Sequence, residues 1–397
     1  MSDKPAAQNS VGATWASLRA RWNDLPRPMQ WLVGSPVILL LALLPVIDPP
    51  YISTTAVDFG ATMAQVAMVA LIAIGLNVVV GQTGLLDLGY VGFYAVGAYV
   101  VALMTSSASP LWSSADHGLF SGPWAWLACV PVAIVITGIT GVILGTPTLR
   151  VRGDYLAIVT LGFGEIVRLL ADNLTGLTNG AAGLNDVLFP ELGKSAAHPD
   201  GVFSNSNDSG ISYGIWWYWL GIVAIIIVLL IVGNLERSRV GRSWIAIRED
   251  EDAAEIMGVP TFKYKLWAFV IGAGVGGLSG AIYAGQVQYV DPKAFTVINS
   301  MLFLCAVVLG GQGNKFGVIV GAFVVVYLPA RVQGIEIGGQ SLGDYKYLFF
   351  GITLVLLMIF RPEGLFPARA RLVTFGRKVY STARRVPESD AAAQEAH

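Results

Sequence analysis

The chain has 397 residues, 54% of them hydrophobic and 13% charged, and a formal net charge of −1. A soluble domain needs more polar surface than this to cover its core, and a near-neutral chain offers no basic field for nucleic acid. Two cysteines, Cys129 and Cys305, lie inside apolar runs; they are too few for a disulfide framework and read as small buried side chains.

Residues 1–30 are polar and lack the cleavage pattern of a secretory signal. Trp15, Leu18, Trp22 and Leu25 recur at helical spacing near Arg19 and Arg21. That suits a short helix lying on the lipid surface, or else an unstructured leader. Crossing the hydrocarbon core takes about 20 apolar residues. Candidate spans follow at Trp31–Ile47, Met63–Val80, Leu85–Met104, Trp124–Leu144, Tyr155–Leu174, Ile215–Val232, Leu266–Tyr283, Val297–Leu309, Phe316–Leu328 and Tyr347–Phe360. The expected fold class is all-α: a polytopic membrane protein of about ten transmembrane helices. The eighth and ninth spans are short and flank the turn at Gly310-Gly-Gln-Gly313, so they form a full hairpin or a partly re-entrant pair.

Lys and Arg set the orientation. With the N-terminus inside, the inner segments take Arg150, Arg152, Arg237, Arg248, Lys265 and Lys315 among many others. The outer ones hold only Lys194, Lys293, Arg331 and Lys346. Both termini are then cytoplasmic. The expected organisation is a leader at 1–30, a membrane domain at 31–367, and a basic, then disordered, tail at 368–397. The membrane domain contains an outer loop at 175–213 and a charged inner loop at 236–265.

Several polar groups fall at membrane depth. Gly81-Gln-Thr-Gly84 is either a tight turn or a break within the membrane, and the stretch after it holds Asp87, Tyr90 and Tyr94. Such a segment faces protein or a water-filled path rather than lipid. Glu165 and Arg168 are three apart on one helix and can pair; an unpaired charge there costs about 2.5–3.5 kcal/mol on insertion scales. With Asn77, these residues are candidates either for internal ties or for the wall of a translocation pathway. Glycines spaced by four (Gly272, Gly276 and Gly280; Gly141 and Gly145; Gly317 and Gly321) predict close helix packing.

The inner loop contains Ile245-Ala-Ile-Arg-Glu-Asp-Glu-Asp-Ala-Ala-Glu-Ile-Met-Gly258, followed by Pro260. Its composition predicts a short amphipathic helix that stops at Gly258. Ala253, Ile256 and Met257 give an apolar patch, which Ala246 extends by a turn. A soluble partner can accept such a patch in a groove while the charges set register. The loop Gly310-Gly-Gln-Gly-Asn-Lys315 lacks the Gly-Lys-Ser/Thr ending of a nucleotide loop, so any ATP must be bound by another chain. His117, His198 and His397 assemble no metal cluster, and no nucleophile–base–orienter set marks an enzyme. No cofactor or catalytic residue is expected.

These strings resemble a known family. Leu76–Tyr99, Leu149–Arg168, Gly241–Glu251, Val308–Gly313 and Arg361–Leu365 are similar to the LivM-type permease of branched-chain amino acid ABC importers, and the similarity runs from about Trp31 to Pro367. The resemblance implies a cytoplasmic coupling helix at Arg248–Gly258, docked on an ATP-binding subunit through Arg248, Glu249, Asp250, Glu251, Ala253, Ala254, Glu255 and Gly258. It implies a related, shorter permease as partner, two ATP-binding subunits carrying ATP-Mg, and an external solute-binding protein delivering leucine, isoleucine or valine across a bacterial inner membrane. Relatives that carry urea or short amides leave that substrate as an alternative. The loop reads Glu251-Asp-Ala-Ala-Glu255 rather than the older Glu-Ala-Ala pattern, which leaves open the acidic residue that meets the ATPase. The rival of another class is an ATP-independent transporter or channel using Glu165 as a proton site.

Overall fold

The computed structural model describes residues 36, 40–49, 52–54, 57–110, 120, 122–150, 154–193, 201–204, 212–333, 336–337, 340–341, 345–360 and 364–366. The leader, the three histidines, the tail at 368–397 and residues 194–200 and 205–211 of the outer loop lie outside the described residues. The chain forms two units, 1–52 and 53–397. The first holds a helix over residues 40–47, within the first candidate span.

The second unit is a helical bundle. Its main described helices are α1 (Phe59–Asn77), α2 (Val91–Thr105), α3 (Ala125–Thr148), α4 (Asp154–Asn173), α5 (Tyr213–Arg237), α6 (Arg239–Glu249), α7 (Glu251–Ile256), α8 (Thr261–Val287), α9 (Val297–Gly310), α10 (Lys315–Val332) and α11 (Lys346–Phe360), with a single helical turn at Thr175–Thr178 after α4. The described β-structure is a two-residue antiparallel pair, Glu336–Ile337 with Gln340–Ser341, and one bridge between Leu184 and Val290. Among the described residues, six helices are long and apolar enough to cross a membrane, and Val91–Thr105 is a shorter apolar one. The chain is an all-α, multi-pass membrane protein. The eighth and ninth candidate spans, with lengths of 19 and 18 residues including the turn before α9, are both among the six.

Helix starts follow the sequence. Asp58 accepts from Ala61 N at 2.8 Å, and Ser212, Ser238, Asp250 and Asn314 cap α5, α6, α7 and α10 in the same way. Each side chain satisfies backbone donors that a first turn leaves open.

The bundle is built around α1, which is buried almost throughout and continues as a π-helical turn over Val78–Gln82. It packs against α5, α8, α9 and α10, while α8 also packs against α2 and α3. The spaced glycines are the seams. A Cβ on Gly97 of α2 would lie 2.5 Å from the Gly277 Cα of α8, and one on Gly280 would lie 2.1 Å from the Tyr94 carbonyl. Gly141 meets Ala273, and Gly321 meets the Ala306 carbonyl. In lipid there is no hydrophobic drive between helices, so such close backbone contact supplies much of their association. Cys129 and Cys305 are free and buried.

Segments expected on the same side of the membrane meet each other. Residues 77–84, 236–265, 310–315 and 364–366 are joined by hydrogen bonds and ion pairs at one end. Residues 105–109, 184–188 and 288–290 are joined at the other, as are Asp58 and Ser212.

Candidate functional site

The charged inner loop folds as two helices, not one. The sequence predicted a continuous helix through Arg248–Gly258, but Asp250 is extended (φ −159°, ψ 110°) and splits α6 from α7. The reason is local: the Asp250 carboxylate accepts from Ala253 N at 2.9 Å, so it acts as a cap and opens a new helix. The four-residue spacing of Arg248 and Asp252 therefore places them on different elements, and Ala246 is separated from the α7 patch.

α6 is held to the bundle by Gly241, Trp244 and Ile247, one face at a three-residue spacing. Trp244 is fully buried and its Nε1 donates to the Tyr264 carbonyl at 2.8 Å. Trp244→Ala is expected to cost about 3–5 kcal/mol, the usual range for emptying a buried aromatic site, and thermal unfolding in detergent checks it.

α7 is held more lightly. Ala254 is its one buried residue, and Glu251 forms an ion pair with the buried Lys265 at the start of α8. Gly258 has φ +84°, with Val259 N donating to Ala254 O at 3.0 Å, so the expected stop is there and needs a residue without Cβ strain. On the other face Ala253, Glu255, Ile256 and Met257 are exposed, as is Glu249 at the end of α6. Ile256 and Met257 are 85% and 83% exposed, the largest values among the exposed large apolar side chains. Thus the loop residues divide. Arg248, Glu251 and Ala254 face the bundle, Asp250 caps, and Glu249, Ala253, Glu255 and Gly258 lie outside.

The Gly81-Gln-Thr-Gly84 break is followed by irregular, non-helical backbone over residues 84–89, so the third span starts as helix at Val91 rather than Leu85. Irregular backbone at this depth must be satisfied by protein. Asp87 Oδ1 accepts from Gly89 N at 2.9 Å, and Leu88 N donates to Thr160 Oγ1 of α4 at 3.1 Å. Gly89 lies so close to α4 that a Cβ would fall 1.6 Å from the Thr160 carbonyl. Asp87 Oδ2 is buried with no hydrogen-bond partner.

Asn77, Tyr90 and Tyr94 are buried, with their polar atoms engaged inside the chain. Asn77 Oδ1 accepts from Gly313 N at 2.8 Å; Tyr90 Oη donates to the Gly272 carbonyl at 2.6 Å; Tyr94 Oη lies 3.6 Å from Met68 Sδ. Glu165 and Arg168 do pair, at 2.5–3.1 Å, but within α4 and on its outer side, with side chains 36% and 24% exposed. Around them the outer face is apolar: Ile158, Ile166, Leu169 and Leu170 are all exposed.

Sequence reasoning missed Glu236. It accepts from Gln82 Nε2 at 3.0 Å and pairs with Lys315 at 2.9 Å, joining α5, the end of α1 and the start of α10. The charges were visible, but their meeting depends on which helix ends converge. Among the described residues, no group of three or more His, Cys, Asp or Glu side chains could hold a metal ion.

Comparison with known proteins adds to this geometry. Residues 59–358 match the family described as "Branched-chain amino acid transport system / permease component". The chain is 38% identical over 339 residues to the high-affinity branched-chain amino acid transport system permease protein LivM of Escherichia coli, covering 83% of this chain and 74% of that protein. It is 37% identical over the same length and shares to LivM of Salmonella typhimurium. It is also 25% identical to LivH of Escherichia coli over 297 residues, 75% of this chain and 90% of LivH.

Proposed function

Because the chain belongs to the family of permease components of branched-chain amino acid transport systems, we propose that it is one half of the membrane pathway of an ATP-driven importer for leucine, isoleucine and valine. The other half is a related, shorter permease; likeness to both LivM and LivH supports a pair of this kind. Two ATP-binding subunits carry ATP-Mg, and an external binding protein delivers the substrate. Ten crossings place both termini in the cytoplasm of a bacterium, the leader at 1–30 and the tail at 368–397 flanking a membrane domain at 31–367.

The observation that carries this reading is α7: a helix fixed on one side by Ala254 and Glu251 and presenting Ile256 and Met257 almost fully to the outside. Apolar side chains this exposed, in a ring of acidic ones, fit a groove on a soluble partner. The α6–α7 pair is thus the coupling element. ATP-driven closure of the partner subunits moves it, and the bundle alternates between outward-open and inward-open forms.

The pathway side is α4. A charged pair midway along a helix whose outer face is otherwise apolar is costly against acyl chains, so that face is covered by the partner permease or lines water between the two. Behind it Asp87 and Tyr90 tie the irregular segment to Gly89 N and to Gly272 of α8, while Asn77 and Tyr94 bond Gly313 and Met68. Glu165→Gln is therefore expected to lower uptake several-fold while shifting the melting temperature little, since a half-exposed pair three residues apart contributes only about 0.5 kcal/mol. A fall in stability with normal uptake would assign the pair a structural role instead.

The test of the whole reading is reconstitution in liposomes with the ATP-binding subunits, the partner permease and the binding protein. Leucine uptake that requires ATP supports it. Uptake of urea or a short amide in place of leucine would change the substrate, and proton-driven uptake by this chain alone would overturn the machine.

A further inference from the structure

We propose that Arg248 is a positioning residue that carries the motion of the α6–α7 pair into the membrane, through its hydrogen bond to the Gly81 carbonyl. The proposal rests on the importer reading above and goes beyond it by naming the joint. Arg248 is the penultimate residue of α6, next to the break at Asp250. Its Nη1 donates to the Gly81 carbonyl at 2.5 Å, and its Cγ lies against Gly84, 3.2 Å from where a Cβ would be. Side chain and stem thus grip both glycines of the Gly81–Gly84 turn.

That turn is where a push changes the bundle. Gly81 sits in the π-helical turn of Val78–Gln82, where the regular hydrogen-bond ladder of α1 is already altered. Such turns accommodate local rearrangement and recur at functional positions. Immediately beyond it the backbone is irregular up to Tyr90, and this segment is bonded to α4 through Leu88 N and Thr160 Oγ1. Gly89 touches the α4 backbone in the same seam. A displacement of α6 is therefore passed from Arg248 to Gly81, along residues 84–90, and onto the helix that carries Glu165 and Arg168. Other polar ties at this end run elsewhere: Glu236 joins α5 to Gln82 and Lys315, Asn77 accepts from Gly313 N, and the α6–α7 pair is tied to α8 through Trp244–Tyr264 and Glu251–Lys265. Arg248 to Gly81 is a direct link from the coupling pair to the π-helical turn that continues α1.

A guanidinium suits the role because it stays charged and donates in a fixed plane. A lysine keeps the charge and can still donate, but loses the planar fork.

The test uses the complete reconstituted transporter and reads three quantities: retention of the ATP-binding subunits, ATP hydrolysis, and leucine taken up per ATP. With Arg248→Ala, the subunits stay bound and hydrolysis continues, but uptake per ATP falls about tenfold, the size of effect expected when a charge-assisted hydrogen bond is removed. Arg248→Lys recovers part of it. A second variant guards against misfolding. The Arg248 Cβ lies 3.7 Å from a Cβ built on Gly84, within the range of a disulfide. Gly84→Cys with Arg248→Cys is therefore uncoupled when reduced and regains coupling when oxidised, because a covalent joint replaces the hydrogen bond. Gly84→Cys alone measures the cost of a side chain at φ +75°. Cys129 and Cys305, 0% and 3% exposed, do not compete. Wild-type uptake per ATP in Arg248→Ala, loss of the ATP-binding subunits from it, or no rescue on oxidation overturns the proposal. If the unmodified transporter shows no ATP dependence, it is the importer reading that fails.

Discussion

Ile256→Glu with Met257→Glu is expected to abolish ATP-driven uptake and to leave the permease as stable as before. The two side chains are 85% and 83% exposed, and Ala254 on the opposite side of α7 supplies its packing to the bundle. Removing them therefore takes nothing from the fold. In a partner groove, each fully buried side chain of this kind is worth about 1.5–3 kcal/mol, so losing both weakens docking by two orders of magnitude or more. The added carboxylates make it worse, because the α7 region already carries Glu249, Asp252 and Glu255 and a buried unpaired charge has no compensation. Two measurements decide it: retention of the ATP-binding subunits through purification, and the melting temperature of the permease in detergent. Unchanged uptake would show that α7 is not the docking element. A fall in melting temperature would show that the two residues pack against their own chain.

Much of the architecture was legible because lipid imposes few solutions. Apolar runs, glycines spaced by four and the Lys/Arg distribution each reflect a single strong constraint: backbone groups satisfied within the helix, close approach without a hydrophobic drive, and the cost of moving cations outward. The meeting of residues 77–84, 236–265, 310–315 and 364–366 at one end of the bundle is what that rule expects of segments on one side. What was not legible depends on competition between local options. Ile245–Gly258 reads as one helix by composition, yet the Asp250 side chain offers the backbone a cap and divides it. The segment after Gly84 is apolar enough for helix, but the Asp87 carboxylate turns back to Gly89 N and Leu88 N is taken by Thr160, seventy-two residues away. The roles within the charged loop were unreadable for a related reason. Arg248 and Glu255 look alike as solvated charges in a string, and only the fold aims one at Gly81 and the other outward.

The seam between residues 84–90 and α4 gives the sharpest contrast between two identical chemical changes. Gly89→Ala is expected to prevent formation of a native, transport-competent bundle, whereas Gly162→Ala leaves it intact. At Gly89 the new methyl would lie 1.6 Å from the Thr160 carbonyl oxygen and 2.4 Å from its carbon, both backbone atoms that no rotamer change can move. Inserting one methylene into a yielding core already costs about 1–3 kcal/mol, and here α4 itself must shift away. That shift also pulls Leu88 N from Thr160 Oγ1 and separates Gly92 from Phe163 and Gly164, so the irregular backbone loses the partners that make it tolerable at this depth. Gly162 lies on α4 only two residues beyond Thr160, yet nothing stands within 4 Å of its Cβ position. There alanine brings its better helix propensity, about 1 kcal/mol, and no clash. Size-exclusion profiles in detergent and ATP-driven leucine uptake should separate the two variants completely. A well-folded, active Gly89→Ala protein would mean that the segment at 84–90 does not rest on α4, and the support it gives to the Glu165–Arg168 face would be lost with it.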